Sequence, residues 1–230
     1  LRQRSVLTLP DEIAPNNPNL EVMLPYTPLH HLLLAELGFP VVATSGNRSG
    51  EPICIDETQA LTTLAGIADV FLVHNRPIAR PVDDSIVQII NGRASLLRRA
   101  SGYAPMPISL GDAETTSDET ILAVGGHLKN TVALYVNRQL FVSQYIGDLG
   151  SVPACDRFRS TIQELCSLYN TTPTIVAHDL HPDYYSTQFA QTLATTDTPP
   201  PRLISVQHHY AHVLSCLADN QWQPPVLGIA

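Results

Sequence analysis

Lysine is nearly missing: it occurs once among 230 residues, at Lys129, and acidic residues outnumber Lys and Arg by 21 to 13 for a formal charge of −8. Such a chain has no broad basic surface for neutralising phosphates, which counts against a large nucleic-acid interface, although a few arginines can still define a pocket for a small anion. Long apolar runs are lacking too. None approaches the roughly 18 to 20 residues of a membrane span, and the N-terminus has no basic, apolar and small-residue succession of a signal peptide; the expectation is a cytoplasmic protein with no membrane contact. Cysteines are few, Cys54, Cys155, Cys166 and Cys216. With no Cys-x-x-Cys pair they indicate neither a zinc ribbon nor a disulfide framework, and they read as small buried thiols. Leu1 at the start, and Ala230 inside the apolar run 226–230 at the end, give the expectation of a chain cut at both ends.

With 44% apolar and 15% charged residues, the chain lies in the soluble globular range, and two units are expected. A stretch from Ala104-Pro105-Met106-Pro107 through Gly111 to Glu119 holds two prolines, several acidic or hydroxylic residues and little apolar periodicity. The reading is a first domain over 1–109, a linker over 110–120 and a second domain over 121–230. Dividing at residue 110 leaves 8 basic against 10 acidic residues before it and 5 against 11 after it, so an anion site is expected in the first domain.

In the first domain, 29–37 reads as a helix, 41–44 as a buried strand, 56–65 as a helix capped by Asp56, and 70–74 as a strand. Residues 85–90 and 94–98 read as a hairpin across Asn91-Gly92. In the second, strands at 121–124, 131–136 and 139–145 precede helix 155–169, strand 174–178, helix 184–193, strand 203–206, helix 209–217 and strand 226–230. The fold class is α/β. Three strands followed by alternating helix and strand is the order of a ribonuclease-H-like or actin-like ATPase subdomain, which binds phosphates in loops at strand ends.

Val206-Gln207-His208-His209-Tyr210-Ala211-His212 sits where a strand gives way to a helix. His208 and His212 share one helix face and can grip one cation, whereas His209 points elsewhere. His209 also stands where a metalloprotease needs Glu; a pair of capping or packing histidines is the structural alternative. Ala177-His178-Asp179-Leu180-His181-Pro182-Asp183-Tyr184 ends another strand and can face the same cleft, with Asp179 behind a ligand or toward a phosphate and Asp183 as a helix cap. Gly125-Gly126-His127-Leu128-Lys129-Asn130-Thr131 makes the first turn of the domain. Its glycines, Lys129, Asn130 and Thr131 can wrap a phosphate or a metal-bound ligand, although an ordinary hairpin uses the same glycines.

In the first domain, residues 43–52 follow a strand and offer hydroxyl and amide groups at Thr44, Ser45 and Asn47. Later come 74–85, with Arg80 and Ser85, and then Arg98-Arg99. Guanidinium forks suit phosphate oxygens and stabilise charge on a transferring group. Polar loops with surface arginines are the alternative, harder to hold for three such strings in one small unit.

These strings, in this order, resemble the HypF carbamoyltransferase family over nearly the whole chain. Leu24-Pro25-Tyr26-Thr27-Pro28-Leu29-His30, Thr44-Ser45-Gly46-Asn47 with Ser49-Gly50-Glu51-Pro52, and Arg80-Pro81-Val82-Asp83-Asp84-Ser85 resemble its YrdC-like domain. Leu128-Lys129-Asn130-Thr131, Ile146-Gly147-Asp148-Leu149, the 178–184 string and the 206–212 string resemble its TsaD-like domain. The resemblance implies a role in [NiFe]-hydrogenase maturation. ATP with Mg2+ and carbamoyl phosphate would give a carbamoyl adenylate in the YrdC-like domain, and the TsaD-like domain would deliver the carbamoyl group to the C-terminal cysteine of HypE. By that resemblance Thr44, Ser45, Asn47, Ser85 and Arg99 would hold the adenylate, with Arg80 as a further contact. Lys129, Asn130, Thr131, His178 and Asp179 would face phosphate or substrate in the second site. His208 and His212 would bind its divalent metal, zinc or iron, although paired imidazoles suit nickel equally. An unstable adenylate also needs enclosure from water, which favours two sites in one polypeptide.

The family's acylphosphatase domain, zinc-finger segment and the front of its YrdC-like domain have no counterpart in these residues, so carbamoyl phosphate hydrolysis is not assigned to them. A further metal-binding carboxylate, in an Asp-Gly-Thr-Gly run, is expected beyond Ala230. Tyr145 stands where the resemblance leads one to expect His before Ile-Gly-Asp, and Ser101 where it leads one to expect Arg before Gly102-Tyr103. Two other readings are a YrdC and TsaD fusion making threonylcarbamoyl-adenosine on tRNA, and a non-catalytic scaffold binding ATP or a maturation partner. The acidic balance and the 178–184 string count against the first.

Overall fold

Thr27 sets the start of the first helix. Its hydroxyl accepts the His30 N–H at 3.2 Å, Pro28 fits the first turn, and Gly38 at φ 68° ends the helix, giving α1 over Pro28–Leu37. The computed structural model describes residues 10–110, 119–223 and 225–229. The centre of the expected linker, 111–118, lies outside the described residues. α1 belongs to a unit ending at Thr44, and none of its residues is buried. The buried strand expected at 41–44 does not form, and Val42 is 72% exposed. An extended apolar run becomes a strand only beside a neighbour that completes its hydrogen-bond ladder.

The second unit begins at Ser45. Its first helix, α2, covers Glu57–Thr63, with the Asp56 carboxylate accepting the Gln59 N–H at 2.8 Å. β1 (Ile86–Ile90) and β2 (Arg93–Arg98) pair antiparallel across Asn91-Gly92, whose φ values of 50° and 77° are those of a two-residue primed turn. The strand expected at 70–74 is also absent, for the same want of a partner.

The rest of the unit is built on a six-stranded sheet. In chain order the elements are β3 (Pro107–Ile108), β4 (Ile121–Ala123), β5 (Ala133–Val136), β6 (Gln139–Val142), α3 (Val152–Leu168), β7 (Ile175–Asp179), α4 (Tyr185–Thr196), β8 (Arg202–Val206) and α5 (His208–Asn220). The sheet order is β3-β6-β5-β4-β7-β8, antiparallel up to β4 and parallel from β4 through β7 to β8. This is the expected ribonuclease-H-like succession with β3 added at one edge. The apolar run expected as a strand at 226–230 makes none over 226–229, and Leu227 and Ile229 are exposed.

The core lies between the sheet and α3 with α4. Ser151 caps α3 by accepting the Ala154 N–H, and Ala154, Phe158, Thr161, Ile162 and Leu165 form the buried stripe that helical spacing predicts. Of these, Phe158, Ile162 and Leu165 join Leu122, Val124, Leu134, Phe141 and Val176 in one cluster. Phe158, fully buried, meets Phe189 edge-on at 5.1 Å and Tyr185 at 5.8 Å. The cysteines are less buried than expected: Cys54, Cys155 and Cys166 are half-buried and Cys216 is exposed. Among the described residues no helix is long and apolar enough to cross a membrane.

Candidate functional site

Because β4, β7 and β8 are parallel neighbours, their C-terminal ends lie along one edge of the sheet. Each end leads into one of the strings singled out in the second domain: β4 into the glycine turn, β7 into His178-Asp179, and β8 into His208 at the start of α5. The three strings therefore meet. A Cβ at Gly126 would lie 3.6 Å from Cε1 of His208, and the Leu180 N–H donates to the Val206 carbonyl at 3.2 Å.

At the centre, His208 and His212 bring their Nε2 atoms to 3.1 Å. Asp179, only 8% exposed, holds Oδ2 at 2.6 Å from Nδ1 of His208 and accepts the His181 N–H on Oδ1 at 2.9 Å. A carboxylate there keeps the His208 proton on Nδ1 and frees its Nε2 lone pair toward His212. Two ligands about 2.0–2.1 Å from a tetrahedral ion stand roughly 3.3 Å apart, so the pair has close to chelating separation. Among the described residues no group of three His, Cys, Asp or Glu is placed to hold an ion; the donor set here is two imidazoles with an orienting carboxylate. Rings pack around it: Tyr184 stacks on His181 at 4.3 Å and His127 at 5.6 Å, and meets His208 edge-on at 6.4 Å. Asp183 does not cap α4, which starts after Tyr184 without a side-chain cap. His178 is buried, with Nδ1 at 2.7 Å from the Asp179 carbonyl and Nε2 at 3.3 Å from the Ser205 hydroxyl.

The glycine turn is stiff. Gly125 has φ 68°, and a Cβ there would come to 2.3 Å from the Thr131 carbonyl oxygen and 2.9 Å from the Asn130 amide nitrogen, so only glycine fits. Asn130 is buried beneath the turn and spends both amide hydrogens on carbonyls, Val124 at 3.0 Å and Gly126 at 2.6 Å, which leaves its Oδ1 without a partner. Asp148 accepts the Lys129 N–H at 2.7 Å, while the Lys129 side chain is exposed. Asp148, in the Ile146-Gly147-Asp148-Leu149 string, is a partner of this turn that the sequence reasoning missed. Its position just before the Ser151 helix cap was the available signal.

Of the first-domain candidates, Asn47, Ser85 and Arg99 each have their own local partners. Asn47 Nδ2 donates to the Arg48 and Glu51 carbonyls, folding the 47–51 loop on itself. Thr44 and Ser45 are exposed. The Ser85 hydroxyl donates to the Ser101 carbonyl at 2.9 Å and accepts the Ala100 N–H at 2.8 Å. Arg99 donates through Nη2 to the Tyr103 and Met106 carbonyls, and burial lowers its pKa against the opposing pull of Asp219. Arg80 is exposed, 3.9 Å from Glu164. Among the described residues no hydrogen bond joins Ser45 or Asn47 to Arg80, Ser85 or Arg99. Tyr145 donates its N–H to the Arg99 carbonyl at 2.9 Å, and burial raises the pKa of its phenol.

A family model described as the HypF Kae1-like domain matches residues 116–219, and the Sua5/YciO/YrdC model, described as telomere recombination, matches 1–100. Carbamoyltransferase HypF of Synechocystis sp. is 51% identical over all of the chain and 29% of its own length. The chain belongs to the HypF family. Carbamoyltransferase HypF of Rhizobium leguminosarum is 40% identical over 95% of the chain and 28% of its own length, so the chain spans little more than a quarter of the HypF relatives it matches. Two solved HypF structures superpose well. The full-length HypF in its phosphate- and nucleotide-bound form gives a TM-score of 0.81 at 44% identity, covering 90% of the chain and 32% of that protein. HypF of T. kodakarensis gives 0.87 at 34%, covering 97% and 28%. The fold is thus a YrdC-like part followed by a Kae1-like part, as in HypF.

Proposed function

We propose that this chain contributes to an ATP-dependent carbamoyltransferase that acts in [NiFe]-hydrogenase maturation. Water cleaves carbamoyl phosphate to carbamate and inorganic phosphate in the rest of the protein; in the YrdC-like part a carbamate oxygen then attacks the α-phosphorus of Mg2+-ATP and pyrophosphate leaves. In the Kae1-like part the thiolate of the C-terminal cysteine of HypE attacks the carbamoyl carbon and AMP leaves. The observation that carries this reading is the meeting of the glycine turn, Asp179 and the His208–His212 pair at one sheet edge, in a chain whose relatives carry the name carbamoyltransferase.

In the first site Thr44, Ser45, Asn47, Arg80, Ser85 and Arg99 are the proposed adenylate contacts. In the second, Lys129 offers its exposed ammonium to phosphate, with Asn130, Thr131, His178 and Asp179 shaping the wall. A divalent zinc or iron, held there by His208 and His212 with a further ligand from the rest of the protein, would supply Lewis acidity toward phosphate or carbamoyl oxygen. Asp179 fixes the His208 tautomer, and Tyr184, stacked between His181 and His127, sets one ring beside His208.

The test is carbamoyl phosphate-dependent ATP–pyrophosphate exchange, in a protein with the full length of its relatives. Exchange followed by carbamoylation of a HypE C-terminal peptide is expected; no exchange would sink carbamoyl adenylation.

A further inference from the structure

We propose that Arg157 is a positioning residue that ties the Arg80–Ser85 segment of the first site to helix α3 of the second, and so sets the register in which the intermediate passes between them. This rests on the function proposed above. Arg157 lies on α3 with its side chain 10% exposed. Its Nη2 donates to the Pro81 carbonyl at 3.2 Å across 76 positions of sequence, and Nη1 donates to Glu164 at 3.1 Å and to the Ser160 hydroxyl at 3.4 Å. Gln144, next to the β6 end, donates to the same Pro81 carbonyl at 2.7 Å. Proline has no N–H, so its carbonyl is the one backbone group through which residue 81 can be gripped, and two donors occupy both lone pairs. Glu164, which orients the guanidinium, also faces Arg80.

The N-terminal end of the same helix is fastened to the glycine turn. The Leu149 N–H donates to the His127 carbonyl at 2.9 Å, and Asp148 accepts the Lys129 N–H, just before the Ser151 cap. Six residues of helix, about 9 Å of rise, separate that cap from Arg157. A short rigid rod therefore has the first-site segment at one end and the second-site turn at the other. Packing alone does not call for a guanidinium at this nearly buried position, since a cation there must be fully partnered to be tolerated; its partners are what fix the segment.

The measurement uses a protein with the full length of its relatives and compares Arg157→Met, Arg157→Lys and Gln144→Leu with the parent. Pyrophosphate exchange gives KM and kcat for carbamoyl phosphate, and AMP released without carbamoylation of the acceptor peptide gives the leak. Arg157→Met is expected to raise KM about 10-fold with a smaller change in kcat, and to raise the leak. Arg157→Lys, which keeps one donor for the Pro81 carbonyl, recovers part of both. Gln144→Leu acts in the same direction from a different element and adds less than its own effect when combined with Arg157→Met. Unchanged KM and leak in both Arg157→Met and Gln144→Leu would overturn the role. So would a fall in kcat and melting temperature alone that lysine does not rescue. Absence of exchange in the parent would remove the proposed function itself, and this role with it.

Discussion

Asp179→Asn probes the second site with almost no change of shape. Asp179 uses one oxygen for the His181 N–H and the other for Nδ1 of His208. An asparagine keeps one oxygen. If that oxygen stays on the His181 N–H, the amide NH2 faces His208, and the ring must take its proton on Nε2, the atom 3.1 Å from Nε2 of His212. A protonated Nε2 cannot ligate. Replacing an orienting carboxylate behind a metal-bound histidine typically costs 10- to 100-fold in affinity, about 1.4–2.7 kcal/mol. The assay is competition for Zn2+ against a chromophoric chelator in a protein with the full length of its relatives, with His212→Gln as the direct-ligand control and near-ultraviolet circular dichroism to check the fold. Both variants are expected to bind more weakly with spectra like the parent's. Weakened binding in His212→Gln beside unchanged affinity in Asp179→Asn would refute the orienting role. Unchanged affinity in both would remove the metal from this pair.

Phe158→Ala, emptying a fully buried ring site between Phe189 and Tyr185, is expected to cost about 3–5 kcal/mol in urea unfolding; under 1 kcal/mol would place the core elsewhere. Gly125→Ala puts a methyl group against the Thr131 carbonyl in a left-handed conformation, and is expected to cost more than the roughly 1–2 kcal/mol of the backbone strain alone. An unchanged unfolding midpoint would show that the turn relaxes. Burial raises the Asp83 pKa, outweighing Arg98 and Arg157. The folded state then holds this proton more tightly than the unfolded one, so the carboxyl's contribution to stability falls as pH rises from the ordinary carboxylate range through the raised folded value. Asp83→Asn removes that fall, and parallel profiles for parent and variant would contradict it.

The second domain was legible because its signals are local. Strand alternation and the apolar stripe from Ala154 to Leu165, like the Asn91-Gly92 turn of the first domain, each encode their geometry within a few residues, and the structure places these elements within a few residues of expectation. The apolar runs at 41–44, 70–74 and 226–229 were misread for one reason. Composition makes a run able to pair, but the pairing depends on a neighbour distant in sequence, and among the described residues none supplies the ladder. The spacing of His208 and His212 was readable at once, because four residues is one helical turn. The part played by Asp179 needed the parallel β7–β8 register, which sets the end of one strand beside the start of the helix that follows the other. Arg157 was missed for a related reason: its Pro81 partner is 76 positions away. The available signal was its place beside the buried stripe of α3, one position before Phe158 and four before Thr161.

Asn130 shows how a donor count narrows chemistry that composition leaves open. As a sequence, Lys129-Asn130-Thr131 offers an amide that could donate to phosphate. In the folded turn both amide hydrogens are spent on the Val124 and Gly126 carbonyls, and the Asn130 N–H is spent on Gly147. Two carbonyl partners also fix which end of the amide is nitrogen, since a flipped side chain would set oxygen against oxygen. Toward the anion proposed for this site Asn130 therefore acts only indirectly, by holding Gly125 and Gly126 in the tight curve that brings the turn against His208. Under that proposal direct attraction falls to the Lys129 ammonium, the one long cationic side chain on this turn. Neutralising Lys129 should then weaken anion binding without loosening the turn, whereas truncating Asn130 should loosen the turn first.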